Sequence, residues 1–426
     1  MRNLSPDMLA RTPTNDSQAR GARTPGWARL AGPGLLISVG YMDPGNWATD
    51  IEAGSRFAYA LLFVVVLSGL AALFLQTRSA RLGIATGRDL AQLSRARNPG
   101  WTGDALWVSA ELAIVACDIA EVLGAALALK LLFHLPLWVG VLLTGVDTLL
   151  VLALQGQGMR RLESIVLALV AVIALAFLVE LVFFPPDLAA AARGLWPGNA
   201  PMGDARALLL AVGIVGATVM PHNLYLHSAI VLTRPVADDR QVTARAATID
   251  ITRALLIATL VNAAILLTAA SAFYGRGAVV TEIDQAYQLL TPLTGTGTAA
   301  VIFGVALLAS GQSSTITGTM AGLVIWEGFR GRTMALWKRR LITRALALVP
   351  ALIGVLWLGD GSVGRLLVLT QVALSLQLPF AMGPMLRATG DARLMGGLVD
   401  GARARVVGWG LFAAITVANL WLLASL

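Results

Sequence analysis

The chain has 426 residues, 57% of them hydrophobic and 13% charged, with a mean hydropathy of +0.74. A soluble domain carries about 25% charged residues, so most of this chain must be surrounded by lipid, and the usual length prior for soluble domains does not apply. The net charge of +8 and pI near 10.5 would suggest nucleic acid in a soluble protein, but lysine and arginine left on one side of a membrane explain them as well. The single cysteine, Cys117, excludes an intrachain disulfide and any thiolate zinc or iron–sulfur pattern.

In chain order, residues 1–29 are polar and rich in Pro, Ser, Thr and Arg, without an apolar h-region. They read as a disordered cytoplasmic tail and not as a cleaved signal. A helix needs about 20 apolar residues to cross a bilayer. Spans are expected near 30–54, 57–77, 104–128, 131–154, 162–184, 207–233, 254–275, 299–325, 341–358, 366–386 and 406–426, with a polar Thr/Gly/Pro stretch from 285 ahead of the eighth. Those eleven spans give an all-α polytopic membrane protein with a single transmembrane domain over 30–426. If the N-terminus is cytoplasmic, the inner segments hold 25 of the 32 Lys and Arg, the outer ones six, and one, Arg344, lies within a span. Such a bias places the N-terminus inside and, after an odd number of spans, the C-terminus outside the plasma (inner) membrane.

Two spans are interrupted by residues that lipid disfavours. Asp43-Pro44-Gly45-Asn46 breaks the first and Met220-Pro221-His222-Asn223 the sixth. Proline removes a backbone donor and glycine loosens the helix, so both helices should break near the bilayer centre. Both breaks read X-Pro-X-Asn and lie 177 positions apart. Paired interrupted helices in two halves point to an inverted-repeat transporter with its site at the midplane, with repeats at 30–184 and 205–386 and an extra helix at 406–426.

A mid-membrane break frees carbonyl oxygens and gathers Asp43, Asn46 and Met220 around one cavity. A carboxylate, an amide, one or two carbonyls and a thioether form a mixed ligand set. Mg²⁺ and Ca²⁺ want oxygen alone, whereas a thioether favours softer transition ions, so the choice of metal rests on Met220. On the third span Glu111, Asp118 and Glu121 fall within an arc of about 80°. An acidic stripe in lipid must line a bundle interior, be protonated part of the time or pair with bases, and Arg339, Arg340 and Arg344 at the start of the ninth span are candidate partners. His222 lies beside the metal site. His227, one turn on, could equally be a hydrogen-bonded packing residue, and His134 is a loop residue.

Asp50 and Glu52 close the first span on the outside, either drawing cations into a vestibule or standing as solvated helix-end charges. The Ser/Thr-rich run 310–319 offers hydroxyls for close helix contacts. The tryptophans, as at Trp138, Trp196 and Trp357, read mainly as interface anchors.

Asp43-Pro44-Gly45-Asn46, Met220-Pro221-His222-Asn223 with the following Leu224-Tyr225-Leu226-His227-Ser228, and the run from Gly311 to Thr319 (GQSSTITGT) resemble the signatures of the Nramp (natural resistance-associated macrophage protein) family from about residue 30 onward. The resemblance implies a LeuT-like fold of two inverted five-helix repeats with broken helices 1 and 6, and proton-coupled transport of divalent metals. It also implies metal contact from the side chains of Asp43, Asn46 and Met220 and the carbonyls of Gly40 and Ala217. Gln371 of the tenth span completes that shell, with Gln377 the other glutamine nearby. It assigns a proton route from Asp43 through Glu121 and Asp118 toward the cytoplasm, with His222, Glu111, Arg339, Arg340 and Arg344 in the same network.

The expected function is therefore import of Mn²⁺ or Fe²⁺ with protons by alternating access, with no cofactor beyond the transported ions, lipid as surroundings, no nucleic-acid partner, and a monomer as the working unit. The chain has no G-x-x-x-x-G-K-[ST] loop for direct drive by ATP and no H-E-x-x-H motif or Ser/His/Asp constellation for an intramembrane enzyme. A metal-sensing receptor would lack an output domain. A symporter of a small organic solute on the same fold is the alternative, although Asp43 would repel a substrate carboxylate.

Overall fold

The structure is a computed structural model, and it describes residues 33–155, 159–197, 203–233, 239–275, 279–294 and 297–425. The tail expected over 1–29 lies outside the described residues. Helix α1 (Pro33–Gly40) stops three residues short of α2 (Pro44–Phe57), and α3 (Leu62–Thr86) follows. A short α4 (Leu90–Arg97) leads into the long α5 (Trp101–Phe133), then α6 (Leu137–Gln155), α7 (Met159–Phe183) and a short α8 (Leu188–Gly194). The second half begins with α9 (Ala205–Val219) and α10 (Pro221–Ile230), separated by Met220 alone, and continues with α11 (Arg240–Phe273) and α12 (Ile283–Thr294). It goes on through α13 (Thr298–Arg330), α14 (Leu336–Leu358) and α15 (Val363–Thr389), and the chain closes with α16 (Ala392–Met395) and α17 (Ala402–Ser425).

Among the described residues, nine helices are long and apolar enough to cross a membrane when α9 and α10 are taken together. The other two expected spans have identifiable reasons for falling short of that test. In the first span neither α1, with 8 residues, nor α2, with 14, reaches spanning length alone. The 19-residue α6 has its described apolar part over Leu137–Val146. The chain therefore has the all-helical polytopic architecture expected of it.

Boundaries moved where caps act. The fourth span was expected from 131, but α5 continues to Phe133. His134 then takes a left-handed conformation (φ 57°) that turns the chain toward α6. The polar stretch from 285 is in part helical, as α12, which buries Ile283 and Ala286 on one face. Both short connectors start at an aspartate. Asp89 accepts the N–H of Gln92 at 2.9 Å, and Asp187 accepts those of Ala189 and Ala190 at 2.9 and 3.0 Å, the N-cap preference of that residue type.

The helix pairings are reciprocal between the halves. Helix α2 packs against α11 while α9 and α10 pack against α3; α5 packs against α15 while α13 packs against α7; and α5 with α13, and α6 with α14, meet their own counterparts. The two broken pairs thus sit in the middle of the bundle, and residues 34–55 of the first are buried. Trp47 shows the density there, standing edge-on to Phe177 at 4.7 Å and to Phe303 at 5.2 Å between ring centres. Trp138, Trp196 and Trp357 are exposed.

In the loop before α4, burial raises the Asp89 carboxyl to about 6 against backbone hydrogen bonds that lower it. A raised carboxyl pKa means that the folded state holds a proton which the unfolded state has already released between the two values, so stability falls as pH rises from about 4 to 6 and stays lower above. Asp89→Asn keeps an acceptor for the cap and removes the buried charge. Its melting temperature relative to the parent is expected to rise between pH 5 and pH 8, with a ceiling of roughly 2–3 kcal/mol at about 1.4 kcal/mol per pKa unit. Parallel pH profiles would contradict the assignment.

Candidate metal site and the buried polar network

At the first break, Asp43 is the N-cap of α2, with Pro44 opening the helix. Its Oδ1 accepts the backbone N–H of Asn46 at 2.9 Å and the Asn46 side-chain Nδ2 at 2.7 Å. Its Oδ2 is buried with no hydrogen-bond partner among the described residues. The same Asn46 Nδ2 donates across to the Ala217 carbonyl at 3.1 Å, and Asn46 Oδ1 accepts from Asn262 Nδ2 at 3.1 Å. One amide NH₂ therefore bridges a carboxylate on the first broken helix and a carbonyl on the second. Asn262 also donates to the Tyr41 carbonyl at 2.9 Å, which ties the unwound segment to α11.

At the second break, Met220 carries the whole change of direction at φ 39°, ψ 100°. A left-handed conformation is costly for a residue with a long side chain and persists only where surroundings enforce it, most often at functional sites. Pro221 supplies part of that enforcement, since it cannot continue the hydrogen-bond ladder of α9. The thioether sulfur lies beside α1, 3.3 Å from where a Cβ on Gly40 would stand.

Helix α15 closes the third side. A Cβ on Gly45 would lie 1.8 Å from Gln371 Nε2, and one on Gly216 would lie 2.0 Å from the Gln371 carbonyl oxygen. Two glycines, each beside a break, therefore grip this residue. Gln371 Oε1 is buried without a partner among the described residues. Gln377 is turned away, donating toward Ser109 at 3.4 Å. The structure thus gathers Gly40, Asp43, Asn46, Ala217, Met220 and Gln371, all buried, into one locus.

The acidic stripe of α5 meets the bases of α14. Arg339 hydrogen-bonds Glu111, and Arg344 lies 2.9 Å from Asp118. Arg340 donates to the Thr315 carbonyl at 3.1 Å and to the Thr319 hydroxyl. Glu121 lies near Asp118, Arg344 and Arg340. It accepts from the Thr315 hydroxyl at 2.9 Å and from the Cys117 thiol at 3.5 Å. Cys117 also lies 3.7 Å from His222 Nε2, while His222 Nδ1 is buried and unpartnered among the described residues. Between these groups a cavity of about 10 Å³ is lined by Asp118, Glu121, Thr319 and Arg340, about the room one water centre needs.

His227 Nδ1 is hydrogen-bonded to Gln76 Oε1 at 2.9 Å, and Gln76 Nε2 donates to the Tyr41 hydroxyl at 2.7 Å, which fits a packing residue. Glu52 is not a solvated helix-end charge. It is buried, with Arg206 gripping it through two bonds of 2.6 and 2.5 Å, because α9 starts beside the end of α2. Asp50 is buried too, with neither oxygen partnered among the described residues.

Three polar residues of this region carried little weight in the sequence. Asn262 is the one amide in the apolar run 254–275, and intramembrane polarity alone could have marked it. Thr315 was one hydroxyl among many in its run, and Cys117 had no motif around it.

The family model described as natural resistance-associated macrophage protein-like matches residues 34–425. The chain belongs to the Nramp family. It is 57% identical to a protein of Pseudomonas aeruginosa named divalent metal cation transporter MntH 1, over 93% of this chain and 91% of that one. Identity to the divalent metal cation transporter MntH of Ralstonia nicotianae is 55%, over 92% and 90%. Among solved structures, the Eremococcus coleocola manganese transporter in complex with an aromatic bis-isothiourea substituted compound superposes with a TM-score of 0.85 at 37% identity, over 95% of this chain and 88% of that one. MhsT in complex with L-phenylalanine and Mhp1, a nucleobase-cation-symport-1 family transporter, match at TM-scores of 0.64 and 0.62 with 14% and 15% identity, which places this Nramp chain in the LeuT-like fold.

The Arg344–Asp118 pair is nearly buried. Removing one partner of such a pair leaves an uncompensated charge and costs about 3–5 kcal/mol, whereas replacing both by apolar groups is often neutral. Arg344→Ala should therefore melt well below the parent protein in detergent, and Arg344→Met combined with Asp118→Leu should recover most of the loss. A double variant no more stable than the single one would show that the pair is not the source.

Proposed function

We propose that this Nramp chain imports divalent transition metals, Mn²⁺ and Fe²⁺, across the plasma (inner) membrane together with protons, by alternating access. The observation that carries the reading is the buried Oδ2 of Asp43, unpartnered among the described residues, a carboxylate oxygen held at a helix break beside a carbonyl, an amide and a thioether. A buried charge without a base is costly, and a cation passing through the site would supply what is missing. Asp43 Oδ2, the Asn46 amide oxygen after rotation of that side chain, the Met220 sulfur, the Gly40 and Ala217 carbonyls and Gln371 Oε1 are the donors the cation would use. The printed names of the relatives agree with divalent metal as cargo.

The proton is assigned to the separate polar system. The chain of contacts from His222 through Cys117 to Glu121 and Thr315, and from Thr315 through Arg344 at 3.5 Å to Asp118, leads away from the break toward the α14 end that carries Arg339 and Arg340. Glu121 is the natural carrier because its hydrogen bonds come from the Thr315 hydroxyl and the Cys117 thiol, whereas Glu111 and Asp118 are held by Arg339 and Arg344. The basic bias of the loops supports a cytoplasmic N-terminus and an outer C-terminus. A monomer contains every residue invoked, and the intrachain grouping supports it as the working unit.

The organic-solute reading is disfavoured by Asp43, whose charge opposes a substrate carboxylate. The test is uptake into proteoliposomes, following metal and internal pH together. Mn²⁺ uptake should acidify the lumen and exceed Mg²⁺ or Ca²⁺ uptake by at least about tenfold, the step that about 1.4 kcal/mol of discrimination supplies. Asp43→Ala should abolish Mn²⁺ uptake. Equal transport of Mg²⁺ and Mn²⁺ would remove the thioether from the selectivity argument, and undiminished uptake by Asp43→Ala would remove the central ligand.

A further inference from the structure

The Met220 sulfur has a neighbour that neither the breaks nor the proton network use. Asn223, one turn into α10, donates from its side-chain Nδ2 to Met220 Sδ at 3.5 Å. The other end of that amide, Oδ1, is fully buried and has no partner among the described residues. Reversing the amide would set its oxygen against the lone pairs of the sulfur, so the NH₂ group is held there at the cost of a buried unsatisfied acceptor.

Room for this contact comes from the other broken helix. A Cβ on residue 40 would lie 2.4 Å from Asn223 Nδ2, a distance that real Cβ atoms do not show, and 3.3 Å from Met220 Sδ. The amide occupies the place of a missing side chain. A side chain at 40 would therefore push the amide from the position in which it meets Met220.

We propose that Asn223 is a positioning residue for the Met220 thioether, admitted by the absence of a side chain at Gly40, and that this pair raises the preference of the site for softer cations. Methionine has three rotatable side-chain bonds and fills whatever space it is given. An N–H donated to one lone pair of the sulfur fixes its position and leaves the second lone pair for a cation. Without the donor the sulfur is free to turn away, and a soft ion loses its best ligand. A harder ion held mainly by Asp43 and the carbonyls loses little. The inference rests on the assignment of Met220 as a cation ligand made above.

The experiment is calorimetric titration of the purified protein in detergent with Cd²⁺ and with Mn²⁺, for the parent, Asn223→Ala, Gly40→Ala, Met220→Ala and the double variant of Met220→Ala with Asn223→Ala. Asn223→Ala is expected to weaken Cd²⁺ about three- to tenfold, the range one neutral hydrogen bond supplies, and the harder Mn²⁺ by a smaller factor. Gly40→Ala should shift the two ions in the same unequal way, because its methyl group evicts the amide. In the Met220→Ala background the Asn223 substitution should be silent. Asn223→Ser, too short to reach the sulfur, takes the place of Asn223→Ala if that variant does not fold. Equal weakening of both ions, or an Asn223 effect that persists without Met220, overturns the positioning role while leaving the metal site in place. A parent protein whose Cd²⁺ and Mn²⁺ affinities are both unchanged by Met220→Ala overturns the ligand assignment and this inference with it.

Discussion

The constraint on which everything else depends is that a helix broken inside a membrane must have its freed backbone groups satisfied by protein, since lipid offers no partners. In this chain one side chain does much of that for both breaks. The Asn46 amide donates to Asp43 on its own broken helix and to the Ala217 carbonyl on the other, so the two interruptions are fastened to each other and not merely adjacent. Asp43 in turn caps α2, where a carboxylate is favoured by the positive end of the helix. The C-terminal ends of α1 and α9 contribute the opposite polarity through their carbonyls. A locus with one carboxylate, several carbonyl or amide oxygens and no base among its described contacts is built for a positive guest, and the fold supplies it as a by-product of satisfying its own backbone.

The second polar system follows a different rule. Glu111 and Asp118 of α5 are held by Arg339 and Arg344 of α14, whereas Glu121 takes its hydrogen bonds from a hydroxyl and a thiol. Paired charges are immobile, whereas an acid with neutral partners can exchange a proton without breaking an ion pair. The contact of Cys117 with both Glu121 and His222 connects this system to the helix break. Away from the breaks, two hydrogen bonds from Arg206 to Glu52 join the start of α9 to the end of α2, so the two broken helices are fastened there as well as at their centre.

The sequence made the breaks, the span order and the acid stripe legible because each violates what lipid tolerates. Asp43, Met220, Asp118 and Glu121 stand out for that reason, and the arginines of α14 were candidates by position. What it could not show is how neighbouring helices meet. Gln371 and Gln377 are six residues apart on one helix, and nothing local distinguishes them; the difference comes from Gly45 and Gly216, which bring α15 close enough for Gln371 alone. Glu52 read as a helix-end charge because its partner, Arg206, is 154 residues away. The caps of α4 and α8 were readable in principle, as aspartates before short apolar segments. The helix in the 283–294 stretch was obscured by its Thr and Pro content.

Those same glycines bear on how such a site could open. Three elements converge on the locus through backbone approach: α2 at Gly45, α9 at Gly216 and α1 at Gly40. At Gly216 the neighbour is the backbone of α15 itself, so that contact depends on the relative placement of whole helices, while at Gly45 and Gly40 the neighbours are the Gln371, Asn223 and Met220 side chains. A packed contact of that kind is either made or lost, because interiors do not deform gradually. If α15 moved away from α2 and α9, Gln371 would leave the locus as a unit while Asp43, Asn46 and Ala217 stayed bound to one another. The proposed ligands divide accordingly into a set carried by the two broken helices and one supplied from outside it. That division is what a site needs if it is to hold a cation firmly in one arrangement and release it in another without dismantling its own scaffold.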